Sequence, residues 1–278
     1  MNENNLQYLQ KMLDHLGFGT RLNSVLESAM YKKPESFTIG LNQKYIPAEF
    51  RSDPSKGVDM MHFDLQFNKS RETDAYFLNG FEASLKRYNT DQSVSKIFDI
   101  EKHHRMTALQ SYKLLCGLSL QKDIFLRDLT HGSGDTLARI PVWFSLDLQV
   151  TNERGNHPLN RFYPGYGFDL EATVDRYNFG GLEDVQKRDA VIRALKYGNL
   201  IELPLEFEGK MQQVYLCANP EMKCLNVYSK EMQPIKHEQI FPPTAARNEQ
   251  IADPNVNTVV QKARASNEET KSSKIGRY

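Results

Sequence analysis

The chain has 278 residues, and its 35 Lys+Arg equal its 35 Asp+Glu, so a quarter of the residues are charged while the formal net charge is zero. That balance excludes an all-round nucleic-acid magnet, a polyacidic tail protein and a supercharged surface, and leaves room for a local basic patch. No apolar run approaches the ~20 residues of a membrane-spanning helix, Met1-Asn-Glu-Asn-Asn5 lacks the basic-then-apolar order of a secretory signal, and three cysteines (Cys116, Cys217, Cys224) make no disulfide framework, which points to a reducing cytoplasm.

Leu6, Leu9, Leu13 and Leu16 recur at three- and four-residue steps and predict a helix that Gly17 and Gly19 break. Leu22, Val25, Leu26, Ala29 and Met30 predict a second, with Pro34 beyond its end. Alternation then predicts strands: Phe37, Ile39 and Leu41; Met61, Phe63, Leu65 and Phe67; and Phe77, Asn79, Phe81, Ala83 and Leu85 along one side of a long strand. Residues 51–57 are turn chemistry, and residues 89–103 read as a polar connection.

Thr107 with Gln110 forms a capping-box pattern that opens a third helix, carried by Leu109, Tyr112, Leu115 and Cys116 and closed by Gly117. The strongest strand pattern is Ile140, Val142, Phe144, Leu146, Leu148 and Val150; Pro141 beside it belongs at a strand start or an edge. Leu170, Thr173, Val174 and Tyr177 predict a short helix, and Leu182, Val185, Ile192 and Leu195 a longer one ended by Gly198. Residues 201–207, 214–218 and 225–227, joined by Glu208-Gly209 and Asn219-Pro220 turns, predict a three-strand antiparallel meander. From about residue 241 the composition is too polar to offset chain entropy, and a disordered tail is expected.

These elements make an α+β protein of two or three small helix-plus-antiparallel-sheet units packed together: an N-terminal unit at 1–100, a central unit with a long aromatic and basic loop at 101–180, a C-terminal helix plus meander at 181–240, and a flexible tail at 241–278. A helix, a Gly or Pro break and then strands recur at 20–87, 105–150 and 182–230, which suggests one α+β unit used repeatedly, although helix–Gly–strand is also common punctuation.

Several segments in order carry a likeness. They are Tyr8-Leu-Gln-Lys-Met-Leu-Asp-His-Leu-Gly-Phe-Gly19, Thr73-Asp-Ala-Tyr-Phe-Leu-Asn79, Ala108-Leu-Gln-Ser-Tyr-Lys-Leu-Leu-Cys-Gly117 with Gln121-Lys-Asp123, Arg154-Gly-Asn-His157, Tyr166-Gly-Phe-Asp-Leu170, Leu195-Lys-Tyr-Gly-Asn199 and Ala218-Asn-Pro-Glu-Met-Lys-Cys-Leu-Asn-Val-Tyr228. Across most of residues 6–232 the chain resembles an uncharacterised protein family of Bacteroides-type conjugative transposons and related mobile elements, whose domain also occurs attached to topoisomerase-like proteins. The resemblance implies work near DNA or during element transfer, and carries over no catalytic residue. Where relatives read Gly-Arg after the helix, this chain has Gly117-Leu118, which removes a phosphate-binding arginine, and its three cysteines lie outside the family pattern.

The residues themselves argue against most site chemistry. His62 and Asp64 share a strand face, but a zinc site needs three or four ligands and no Cys-x-x-Cys pair exists. His131-Gly-Ser-Gly-Asp135 lacks the Lys-Ser/Thr pair of a phosphate loop and reads as a hairpin turn. No Gly-x-Ser-x-Gly elbow is present, Cys116 sits on an apolar stripe, and Cys217 and Cys224 flank a hairpin where they would be free thiols. The expectation is therefore no catalytic residue, no metal and no cofactor.

Binding fares better. Arg154, His157, Arg161, Phe162, Tyr163, Tyr166 and Phe168 gather cations and aromatics in one loop, able to neutralise phosphates and stack on bases, with Lys86, Arg87 and Tyr88 and then His103, His104 and Arg105 as smaller clusters. The bland alternative packs those aromatics onto a sheet. The leading expectation is a non-enzymatic accessory protein of a mobile genetic element that engages DNA or a DNA-processing protein. A protein–protein adaptor for a host or conjugation factor, using Phe241-Pro-Pro and the mildly basic tail, is the alternative. An enzyme built from His62, Asp64 and His104 ranks last.

Overall fold

The computed structural model describes residues 2–100, 105–127, 137–153 and 155–241. The sequence readings for His103, His104, Arg154, the loop at 131–135 and the chain from residue 242 onward lie outside the described residues.

Helix α1 (Glu3–His15) starts where the Asn2 side chain accepts from Asn5 N, and it buries Leu6, Leu9, Met12 and Leu13. Helix α2 (Asn23–Tyr31) buries Leu26 and Met30, while Val25 faces solvent. Both lie on the four-stranded antiparallel sheet of β1 (Ser36–Tyr45), β2 (Asp59–Lys69), β3 (Tyr76–Lys86) and β4 (Ser93–Asp99), in sequence order. Phe18, just past α1, meets Phe63 and Phe81 edge-on at 5.3 Å each and pins the helix end to the sheet centre.

Two sequence expectations change here. On β3 the pairing register shifts beside Gly80, so Tyr76 and Leu78 point into the core before the bulge and Phe81, Ala83 and Leu85 after it. Phe77 is left 54% exposed. A bulge adds one residue and inverts the alternation; a Cβ on Gly80 would stand 2.9 Å from the Phe98 carbonyl oxygen, so glycine lets β4 approach. The segment read as a polar connection contains β4 itself. It is an edge strand, polar because only one side of it faces a core, and its Ile97 N–H is covered by Asn156 Oδ1 at 2.9 Å.

Helix α3 (Ala108–Leu115) carries the full capping box, Gln110 N to Thr107 Oγ1 at 3.2 Å and Thr107 N to Gln110 Oε1 at 3.1 Å. The second sheet follows: β5 (Leu120–Arg127), β6 (Leu137–Leu146) and β7 (Leu159–Phe162), antiparallel with β6 in the middle. Pro141 sits opposite Asp123 of β5 but beyond the end of β7, which pairs only with residues 143–146, so on the β7 side there is no ladder bond for it to break. Leu148 and Val150 lie past the strand in the following turn. Helix α4 (Leu170–Val174), capped by Asp169, and helix α5 (Val185–Lys196), capped by Asp184, precede the meander β8 (Ile201–Phe207), β9 (Lys210–Asn219) and β10 (Cys224–Tyr228). A one-turn helix, α6 (His237–Ile240), closes the described chain.

Helices α1, α3 and α5 end identically. Gly17, Gly117 and Gly198, all at positive φ, donate to Asp14, Leu114 and Leu195 at 2.9 Å, and the next residues, Phe18, Leu118 and Asn199, donate to Leu13, Lys113 and Ala194 at 3.0 Å. This double closure satisfies the last carbonyls and turns the chain back toward a sheet.

Two apolar cores result. The first lies between α1, α2, α3 and the inner face of the four-stranded sheet and takes Val142, Phe144 and Leu146 from β6. The second lies among α4, α5 and the meander and takes Trp143 and Phe162. Alternation along β6 thus places neighbouring residues in different cores, and the middle sheet is the layer both share.

Candidate nucleic-acid interface

The loop from β6 to α4 carries most of the sequence-selected residues, and the fold employs several of them locally. His157 Nδ1 lies 2.9 Å from the Val150 carbonyl oxygen and 3.2 Å from that of Asp147, bracing the loop. Phe162 is buried, with its ring 4.9 Å from that of Tyr166. Tyr166 Oη donates to Glu221 O at 2.8 Å, and Lys223 Nζ stands 4.6 Å over its ring. Arg161 is exposed on β7, opposite Phe144. Tyr163 stays 42% exposed.

Of the smaller clusters, Lys86 and Arg87 diverge, and Arg105 is the described member of the other. Lys86 pairs with Asp91 at 3.1 Å on the surface. Arg87 turns inward: its Nη2 is 3.3 Å from Glu49 Oε1, and its Nε makes a 3.1 Å ion contact with Asp59 Oδ2 that lacks hydrogen-bond alignment. Asp59, fully buried, also accepts from Tyr112 Oη and Tyr88 N at 2.9 Å each. Arg105 is half-buried, its Nη1 3.4 Å from Met12 Sδ.

Two adjoining clefts across the middle sheet bring other residues together. One, of about 270 Å³, is walled by Trp143, Phe162, Tyr163, Phe168, Pro141 and Pro164. The second, of about 170 Å³, is formed by Lys122 and Asp123 of β5 with Arg193, Lys196 and Tyr197 at the end of α5. Gln121 and Lys196 line both, so the clefts are one groove with aromatics at one end and cations at the other. Trp143 and Phe168 meet edge-on at 5.3 Å on the groove floor, and Tyr197 is 67% exposed at the far end.

Three acids line the groove as well, and one of them pairs with a groove cation. Asp123 pairs with Arg139, Asp169 caps α4 through Ala172 N, and Glu171 pairs with Lys196 at 3.2 Å. Arg193 is exposed and has no ion-pair partner among the described residues. Lys122, opposite Val142 on the first-core face of the sheet, bonds Gln110 Oε1 and the Arg105 carbonyl, so its ammonium is turned away from the groove, and burial lowers its pKa. The sequence reading named Phe162, Tyr163 and Phe168 but passed over Arg193 and Lys196. Basic residues in a last helical turn read as partners of the helix dipole, and nothing in spacing joins residues 121–123 to 193–197.

Among the described residues no group of three His, Cys, Asp or Glu side chains is placed to hold a metal ion. His62 does meet Asp64, Nε2 to Oδ1 at 3.3 Å, and Asn42 Oδ1 at 2.9 Å on the open face of the first sheet; the His104 once grouped with them lies outside the described residues. The three cysteines are free, Cys217 sits opposite Asn226 and Cys224 opposite Asn219, and burial raises Cys116 to about 11 and Cys217 to about 12, so both are thiols. No helix among the described residues is long and apolar enough to cross a membrane. The class is thus α+β, three small antiparallel sheets with helices between them. No protein-family model, curated protein or solved structure matches the chain.

Proposed function

We propose that this protein is a non-enzymatic accessory factor of a mobile genetic element and engages single-stranded nucleic acid in the groove over its middle sheet. One observation carries the reading: Tyr163, Phe168 and Trp143 share a groove with Arg193 and Lys196, the two ends joined through Gln121 and Lys196. Aromatic faces accept any base, and cations follow the backbone, so the arrangement suits a strand held without strict sequence preference. The family resemblance along residues 6–232 supports work near DNA, and three free cysteines suit a reducing compartment.

The test is fluorescence anisotropy with labelled oligothymidylate and a duplex of equal length across a salt series. Two engaged phosphates give a log–log salt slope of about −1.4 for a single strand. Arg193→Ala flattens that slope by roughly 0.7, and Tyr163→Ala weakens binding by about 1–3 kcal/mol with the slope unchanged. Absence of binding to either oligonucleotide at low salt rejects the proposal.

A further inference from the structure

A separate pocket opens where α3, the turn after β1 and the start of β8 meet, with a volume of about 140 Å³. Its walls are mostly apolar, with Leu109, Leu118, Leu200 and Met232 around the ring of Tyr45, which stacks on Tyr112 at 4.3 Å. Its charges are unbalanced. Arg87 faces both Glu49 and Asp59, Glu49 being only 7% exposed, so with Arg51 and Lys113 the site holds three cations against two carboxylates. The Tyr112 hydroxyl is spent on Asp59, and the Cys116 thiol is neutral.

Arg51 and Lys113 are the two pocket cations outside that cluster. Lys113 Nζ donates to the Tyr197 carbonyl and to Asn199 Oδ1, both at 2.7 Å and both uncharged. Neither cation has an ion-pair partner among the described residues. Burial first, and then the charge of Arg51, lowers the Lys113 pKa to about 8. Arg51 and Lys113 line one pocket and repel, a repulsion that an anion bound between them offsets, and a cavity of roughly 150 Å³ accepts one benzene ring.

We propose that this pocket binds a small monocarboxylate whose apolar body is about the size of a phenyl ring, the carboxylate bridging Arg51 and Lys113 and the body lying among Leu109, Leu118, Leu200 and Met232. The pocket shares no residue with the groove, so this site and the nucleic-acid reading stand or fall separately.

Isothermal titration of the full chain with 3-phenylpropionate, 2-phenylethanol and inorganic phosphate tests it. The carboxylate binds saturably with Kd on the order of 0.1–1 mM, and the alcohol and phosphate each bind about tenfold or more weaker, lacking the charge or the body. Lys113 carries its proton below pH about 8, so affinity is full below that value and falls as pH rises through it. Lys113→Arg keeps binding and loses the pH dependence. Arg51→Gln, at an exposed position that leaves the fold intact, weakens binding about tenfold. Equal affinity for all three probes, no saturation by ~10 mM carboxylate, or an Arg51→Gln protein with unchanged affinity each overturns the assignment.

Discussion

Asp59 is the residue on which the first unit's polar interior turns. It has no exposed surface, and it takes hydrogen bonds from Tyr112 and from the Tyr88 backbone while facing the Arg87 guanidinium. Removing one member of such a pair is costly because the other stays behind, desolvated. Arg87 keeps a side chain 30% exposed and retains Glu49, so the cost falls at the lower end of the usual range. Asp59→Ala is expected to destabilise by about 3 kcal/mol, and Tyr112→Phe, which deletes one bond to a charged acceptor, by about 1.5 kcal/mol. Chemical denaturation of both variants checks this, and an Asp59→Ala midpoint equal to wild type would show that water reaches the cluster. The sequence offered Arg87 as a phosphate contact because Lys86-Arg87-Tyr88 is basic and aromatic. Its carboxylate partners are 28 and 38 residues earlier, a meeting no local pattern reveals.

At the scale of elements, helix ends were the most legible feature, because a cap is a local arrangement of a few residues: Thr107 with Gln110, and glycine after α1, α3 and α5. Strands were legible where one face is apolar, as in β2, and illegible where the chain breaks its own alternation, at Gly80, or where an edge strand is polar, as in β4. Val185, expected on the apolar stripe of α5, is 70% exposed because the helix starts at that residue and its buried side is set later, by Ile192 and Leu195. The groove was half legible, its aromatics by clustering and its cations not at all. Two glycines separate backbone strain from crowding. Gly209, in the β8–β9 turn, has φ +70° and open space at its Cβ position, whereas Gly198 has φ +69° but a Cβ would lie 2.8 Å from Ser119 O and from Leu120 Cβ. Gly209→Ala is expected to cost about 1 kcal/mol, the left-handed penalty alone, and Gly198→Ala at least ~3 kcal/mol, since α5 must also move off β5. Thermal melts that move equally for the two variants would mean that the α5–β5 junction relaxes freely.

For residues 2–241 as a whole, the shared middle sheet decides how the two cores respond to each other. Phe144 and Trp143 are neighbours on β6, and one lies in each core. Loss of the first core strips one face of β6 and removes α3, which packs on both the first and the middle sheets; the second core then loses its floor. The two cores are therefore expected to unfold as one cooperative unit, although each has enough buried side chains to be drawn as a small domain. The chain supplies its own reporter, because Trp143 is its single tryptophan and sits in the second core. Phe63→Ala, a fully buried ring of the first core and remote from Trp143 in the fold's layering, removes about 3–5 kcal/mol by cavity formation. Under cooperative unfolding, the guanidinium midpoint read by Trp143 fluorescence falls as far as the midpoint read by far-ultraviolet circular dichroism, with both curves superimposed. If the cores were independent, the fluorescence curve of Phe63→Ala would overlay that of wild type while circular dichroism alone shifted. That pattern would make β6 a boundary between two domains in place of a layer common to both.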